Sequence, residues 1–131
     1  MKKTILAAVA LATLAAAPAY AQQRSCLEFG RIYNWTVLDN KTLVVEDLSH
    51  NKFRMALMGD CQGLSFKERI GFKSMGATAL SCMTPGDDVI IRNFGTGGQR
   101  CPIAKIVPYT AELQKSDADA AAAKKAAQDQ H

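Results

Sequence analysis

Residues 32–58 read IYNWTVL, DNK, TLVVEDL, SHN and KFRMALM, and this stretch decides the fold. Segments 32–38 and 42–48 are rich in β-branched and aromatic residues. In segment 52–58, Phe53, Met55 and Leu57 alternate with Lys52 and Arg54. A period of two sends successive side chains to opposite faces, as a half-buried strand requires. Asp39-Asn40-Lys41 and Ser49-His50-Asn51 are short polar turns. Two tight turns between such segments predict a three-stranded antiparallel meander.

Downstream, residues 61–70 suit a helical turn or an irregular crossover. Residues 71–74 and 79–82 read as short strands around Met75-Gly76-Ala77. Pro85-Gly86-Asp87 is a turn signal, 88–94 is a strong strand, 95–99 is a glycine-rich loop, and 101–107 is a closing strand. Short strands at close spacing predict an all-β domain, a small antiparallel barrel or sandwich that begins with the meander. Pro108-Tyr109-Thr110 ends it. The tail, 111–131, is alanine-rich and charge-mixed, with Leu113 its one large apolar residue. Alanine favours helix, and Ser116 with Asp119 offers a weak capping box. With no apolar stripe to dock it, the tail is expected to be a frayed helix or disordered.

Upstream, Met1-Lys2-Lys3 is a positive lead, and an uncharged apolar run of 14 residues follows from Thr4 to Ala17. Pro18 and then Ala19-Tyr20-Ala21 complete the pattern of a secretory signal cleaved after Ala21. The run is shorter than the roughly 20 residues of a spanning helix. Arg24 disfavours lipid attachment at Cys26. The expected organisation is a signal peptide over 1–21, a disulfide-bonded β domain over 22–110 and the tail over 111–131, in a periplasmic or secreted protein with no transmembrane segment after cleavage. Losing Lys2 and Lys3 reduces 16 basic residues to 14, against 12 acidic. That near-balance removes most of the electrostatic support for a nucleic-acid partner.

An exported chain with four cysteines is read as bridged. Cys26 precedes the first strand and Cys61 follows the third, which puts them about 20 Å apart at opposite ends of a meander. A bridge spans only about 4.4–6.8 Å between Cα atoms. The same reasoning disfavours Cys82 with Cys101. Two pairings survive: Cys26–Cys101 with Cys61–Cys82, and Cys26–Cys82 with Cys61–Cys101. The nested first is favoured because it ties the ends of the domain together and closes a compact central loop.

Catalytic constellations are sparse. The cysteines lie 35, 21 and 19 residues apart, without C-x-x-C, and the histidines are His50 and His131. Zinc and redox chemistry are therefore not expected, nor is any cofactor. A serine hydrolase would need His50 as base with an acid such as Asp47, yet His50 falls in a predicted turn and no G-x-S-x-G is present. Residues 95–98 lack the lysine of a phosphate loop. Arg31, Tyr33, Trp35 and Val37 share one face under strict alternation, so Arg31, Tyr33 and Trp35 are a candidate ligand face. The competing expectation makes Trp35 and Val37 core, with Arg31 and Tyr33 at the rim. Lys52, Arg54, Arg92 and Lys105 are a candidate basic face.

Cys26, Arg31-Ile32-x-x-Trp35, Thr42-Leu43-Val44-Val45, Cys61-x-x-Leu64, Ile70-Gly71-Phe72, Leu80-x-Cys82, Gly86-Asp87 and Arg100-Cys101-x-Ile103 together resemble a family of small exported proteobacterial proteins of unknown function. The resemblance spans residues 26–110. It implies an exported domain and names no activity, ligand or catalytic residue. The expected role is a non-enzymatic module that binds an envelope protein or surface component. The alternatives are a small hydrolase using His50, or an inhibitor that inserts loop 95–100 into a partner enzyme.

Overall fold

The computed structural model describes residues 26–66, 69–92 and 98–130. The proposed signal peptide, residues 95–97 of the candidate inhibitory loop and His131 lie outside them. Three strands form the meander: β1 (Ile32–Asp39), β2 (Thr42–Asp47) and β3 (Lys52–Leu57). A 3₁₀ turn (Gln62–Phe66) crosses to β4 (Arg69–Lys73), followed by β5 (Asp88–Arg92), β6 (Gln99–Pro108) and the helix α1 (Ala111–Gln128). The strands make one antiparallel sheet in the order β1-β2-β3-β6-β5-β4, curled into a half-barrel with β1 and β4 at its two ends.

The alternation in β3 is realised as read: Phe53 and Met55 are fully buried and Leu57 nearly so, while Lys52 is exposed. Register puts Val45 beside Phe53 and Leu43 beside Met55 on the inner face. Val89, Ile91 and Ile103 extend that face across the second half, and Leu27, Leu64 and Met83 fill the hollow of the curl. Each such side chain contributes about 1.5–3 kcal/mol on full burial. β2 is buried at nearly every position because its outer face is covered too, with Val44 and Thr42 both at 7% exposure.

The long-range order of the sheet corrects the favoured cysteine pairing. The bonds are Cys26–Cys82, with Cα atoms 5.3 Å apart, and Cys61–Cys101, at 6.0 Å. Because β6 lies against β3, Leu57 faces Ile103 and the Met58 amide donates to the Pro102 carbonyl at 2.9 Å. Cys61 is thus delivered to Cys101. The lead-in runs instead along residues 79–83: Glu28 bridges Cys82, the Phe29 amide donates to the Ser81 carbonyl, and the Met83 amide donates to Leu27. Residues 79–82 hold only this isolated bridge in place of the expected strand. Gly30 sits so close to that segment that a Cβ there would lie 2.9 Å from both the Cβ and the carbonyl oxygen of Ala79.

The tail also departs from expectation. Residues 111–128 form a regular helix with Thr110 as its cap, whose hydroxyl accepts from the Leu113 amide at 3.3 Å, while Ser116 lies inside the helix. None of its residues is buried. It is held to the outer face of the meander by polar contacts: Arg54 Nε and Nη2 donate to the two carboxylate oxygens of Asp117, both at 2.9 Å, and Lys124 lies 3.7 Å from Asp39. Hydropathy alone does not reveal such a dock.

Candidate functional site

β1 is an edge strand, and two bulges break its alternation. Tyr33 is the extra residue between Ile32, opposite Asp47, and Asn34, opposite Glu46; Leu38 is extra between Val37 and Asp39. The bulge turns Ile32 toward the core and displaces Tyr33, which is 59% exposed. Strict alternation does not survive such an insertion, so the four-residue stripe is not one face. Trp35 stands opposite Val45 on the inner side, yet it remains 36% exposed because, among the described residues, no further strand pairs with this edge. Val37 packs on the core as the competing expectation had it, whereas Trp35 is one of the exposed large hydrophobics and is not part of the core cluster.

Arg31 and Tyr33 instead converge on the turn between β2 and β3. Arg31 Nη2 donates to Ser49 Oγ at 2.7 Å, and the Leu48 amide donates to the Arg31 carbonyl. Asp47 organises this turn from a nearly fully buried position. Its Oδ1 accepts from the Ser49 and Asn51 amides at 2.8 and 2.9 Å, and its Oδ2 accepts from the Asn51 side chain at 3.0 Å. Burial pushes its carboxyl up, but the bonds from the Asn51 side chain and the Asn51 and Ser49 amides, with the Arg31 charge, hold it below the usual carboxylate range.

His50 adopts a positive φ of 63°, uncommon for a residue other than glycine. Its Nδ1 lies 2.5 Å from Glu46 Oε1, and its ring meets Tyr33 edge-on with centroids 5.4 Å apart. The acid beside His50 is therefore Glu46, since Asp47 is committed to the turn. Among the described residues no hydroxyl bonds to His50, and Ser49 Oγ is engaged by Arg31. Alternation hid this dyad, because residues 46 and 50 flank a turn that only the Asp47 bonds define.

Two adjoining clefts open on the outer face of the meander. One, of about 240 Å³, is lined by Asn34, Thr36, Val44 and Lys52; the other, of about 510 Å³, runs between Leu38 and the Ala118–Ala121 stretch of α1. Tyr109 stands between them. Burial raises its hydroxyl above the usual tyrosine range, helped by the Asp117 charge. The hydrogen bonds from Arg54 hold the Asp117 carboxyl down, against its partial burial.

Of the candidate basic residues, Arg54 is taken by Asp117. Lys52, Lys105 and Arg92 all point outward by register but stand on three different strands. Among the described residues no three of His, Cys, Asp and Glu come together to hold a metal ion, and no helix is long and apolar enough to cross a membrane.

No curated protein and no solved structure matches the chain. To a curled sheet opening with the meander and two disulfides on the four cysteines is added a family-level match: over residues 1–130 the chain belongs to DUF6491, a family of unknown function.

Proposed function

We propose that this protein is exported under the direction of residues 1–21 and works in the periplasm or outside the cell as a binding module, with no chemistry of its own. Its contact surface is the β1 edge, where Arg31, Tyr33 and Trp35 meet an envelope protein or surface component. One observation carries this reading: β1 ends the sheet with Tyr33 and Trp35 exposed on it, while Asp47 and the Ser49 hydroxyl beside it are spent on holding the turn. Aromatic side chains with one apolar face and one polar tip are favoured anchors at protein contacts.

The test is photo-cross-linking in intact envelopes with the probe placed at Asn34. A discrete partner is expected, and Tyr33→Ser with Trp35→Ser should reduce its capture at least about tenfold, since each anchor is worth about 1–2 kcal/mol. Undiminished capture removes the edge from the reading. Fractionation with thiol titration checks the compartment: four titratable thiols in a cytosolic, full-length chain would end the export claim. The His50–Glu46 contact is the one feature that favours the hydrolase alternative, and His50→Gln would abolish any hydrolysis it performs.

A further inference from the structure

α1 covers only the meander half of the outer face. On the other half, register sets three rows: Arg69 opposite Arg92, Gly71 with Ile90 and Arg100, and Lys73 with Asp88 and Pro102. β4, β5 and β6 hold five cations (Arg69, Lys73, Arg92, Arg100 and Lys105) and a single acid, Asp88. Asp88 is buried and holds Arg100, which donates from Nε at 3.1 Å and also from Nη2. Arg69, Lys73 and Arg92 are exposed and pair with no described residue. Like charges directly opposite on adjacent strands repel. A folded sheet that keeps Arg69 against Arg92 is poised for an anion between them.

Shape and apolar content narrow the anion's source. Gly71 and Gly98 contribute no side chains, which leaves a trough of about 400 Å³ floored by Ile90 and walled by Lys73, Arg92 and Arg100. A Cβ on Gly71 would meet only the Ile90 carbonyl oxygen, at 3.9 Å. Beyond Pro102 the third row continues with Met58, 62% exposed, and Met75 follows Lys73 by two residues at 91% exposed. Cations flanked by bare methionines match a surface that offers phosphate in one layer and hydrocarbon just beneath it.

We propose that the outer face of β4, β5 and β6 docks on an anionic lipid bilayer, with headgroup phosphates seated among Arg69, Lys73, Arg92 and Arg100 and Met58 and Met75 at the acyl boundary. This goes beyond the β1-edge reading and uses none of its residues. The test is co-sedimentation of the oxidised protein with phosphatidylcholine vesicles with and without about one third phosphatidylglycerol. Binding is expected only to the anionic vesicles and should weaken with added salt. Arg69→Gln with Arg92→Gln should weaken it about 30-fold, while Arg69→Lys with Arg92→Lys keeps it within about threefold. Lys124→Gln with Lys125→Gln removes the same charge from α1 and should also stay within about threefold. Met58→Ser with Met75→Ser should weaken vesicle binding, and inorganic phosphate matched to the lipid phosphate should not compete. Any of four results overturns the proposal: equal binding to neutral vesicles, equal loss in the arginine and lysine pairs, full competition by free phosphate, or displacement by a single-stranded oligonucleotide that binds more tightly.

Discussion

On the meander half of the outer face, Arg54 is met by both oxygens of Asp117 and Val44 is shielded from water, whereas on the β4–β5 half Arg69 faces Arg92 with no carboxylate of the described residues paired to either. The same chain thus finishes two similar surfaces in opposite ways. One is completed from within, by a helix whose anchoring carboxylate sits at the centre of a partly shielded pair. The other keeps its repulsion. Hydrogen bonds to charged groups contribute about 1.5–3 kcal/mol when shielded, while a facing like-charge pair costs a few tenths to about 1 kcal/mol. The fold can carry the second because the first half and the disulfides supply more than it takes.

The largest effect is expected where the halves are clasped. Replacing Cys61 and Cys101 with alanine should cost about 4–5 kcal/mol, and replacing Cys26 and Cys82 about 4. Loop entropy alone favours the Cys26–Cys82 link by a few tenths, since its separation is 56 residues against 40. Burial reverses the order: Cys61 and Cys101 are 0% and 4% exposed, so their removal also leaves a packing defect. Denaturant unfolding of the two variants checks this, and equal losses would show that the clasp has no special place between the halves.

A middle-sized effect tests the covered half. Asp117→Asn should cost about 1–2 kcal/mol, concentrated in α1, because the pair is partly but not wholly shielded. Hydrogen exchange should accelerate in residues 111–128 and stay unchanged in β2 and β3. The pH dependence has a definite sign. A carboxyl held below its ordinary value of 3.8 stabilises the fold above that value, and the contribution is lost as pH falls through the lower folded value. Asp47 behaves likewise, so acid loosens both the β2–β3 turn and the α1 dock. In Asp117→Asn the helical signal should start lower and lose its acid-dependent part.

The smallest effect is the most pointed. Arg92→Thr should stabilise the protein by a few tenths of a kcal/mol, and the gain should shrink as salt rises. A loss of stability would mean that the two arginines are not in conflict and that the halves differ less than their charges suggest.

The meander was legible because its turns are spelled in adjacent residues, Asp39 to Lys41 and Ser49 to Asn51, between segments of period two. The neighbour of β3 was not, because periodicity within a strand carries no record of which distant strand lies beside it. The disulfide pairing inherited that gap. Docking of α1 depends on polar pairs between distant residues, Arg54 with Asp117 and Asp39 with Lys124, and the alanine-rich tail offers no apolar signature. At the β1 edge, residue type pointed to Arg31, Tyr33 and Trp35. The bulge at Tyr33, which sends its ring to His50, comes from pairing with β2 and leaves no mark on β1 alone.

The two bonds interleave along the chain, each enclosing one cysteine of the other. In a polypeptide that emerges amino end first and is oxidised as it emerges, Cys26 meets Cys61 before either native mate exists. Cys82 then meets Cys101, and both sequential unions are wrong. Maturation therefore has to leave Cys26 waiting through more than fifty residues of synthesis, or undo an early error by thiol exchange. A host lacking a disulfide isomerase should accumulate the mispaired form, and yield from such a host is set by shuffling capacity rather than by oxidising power.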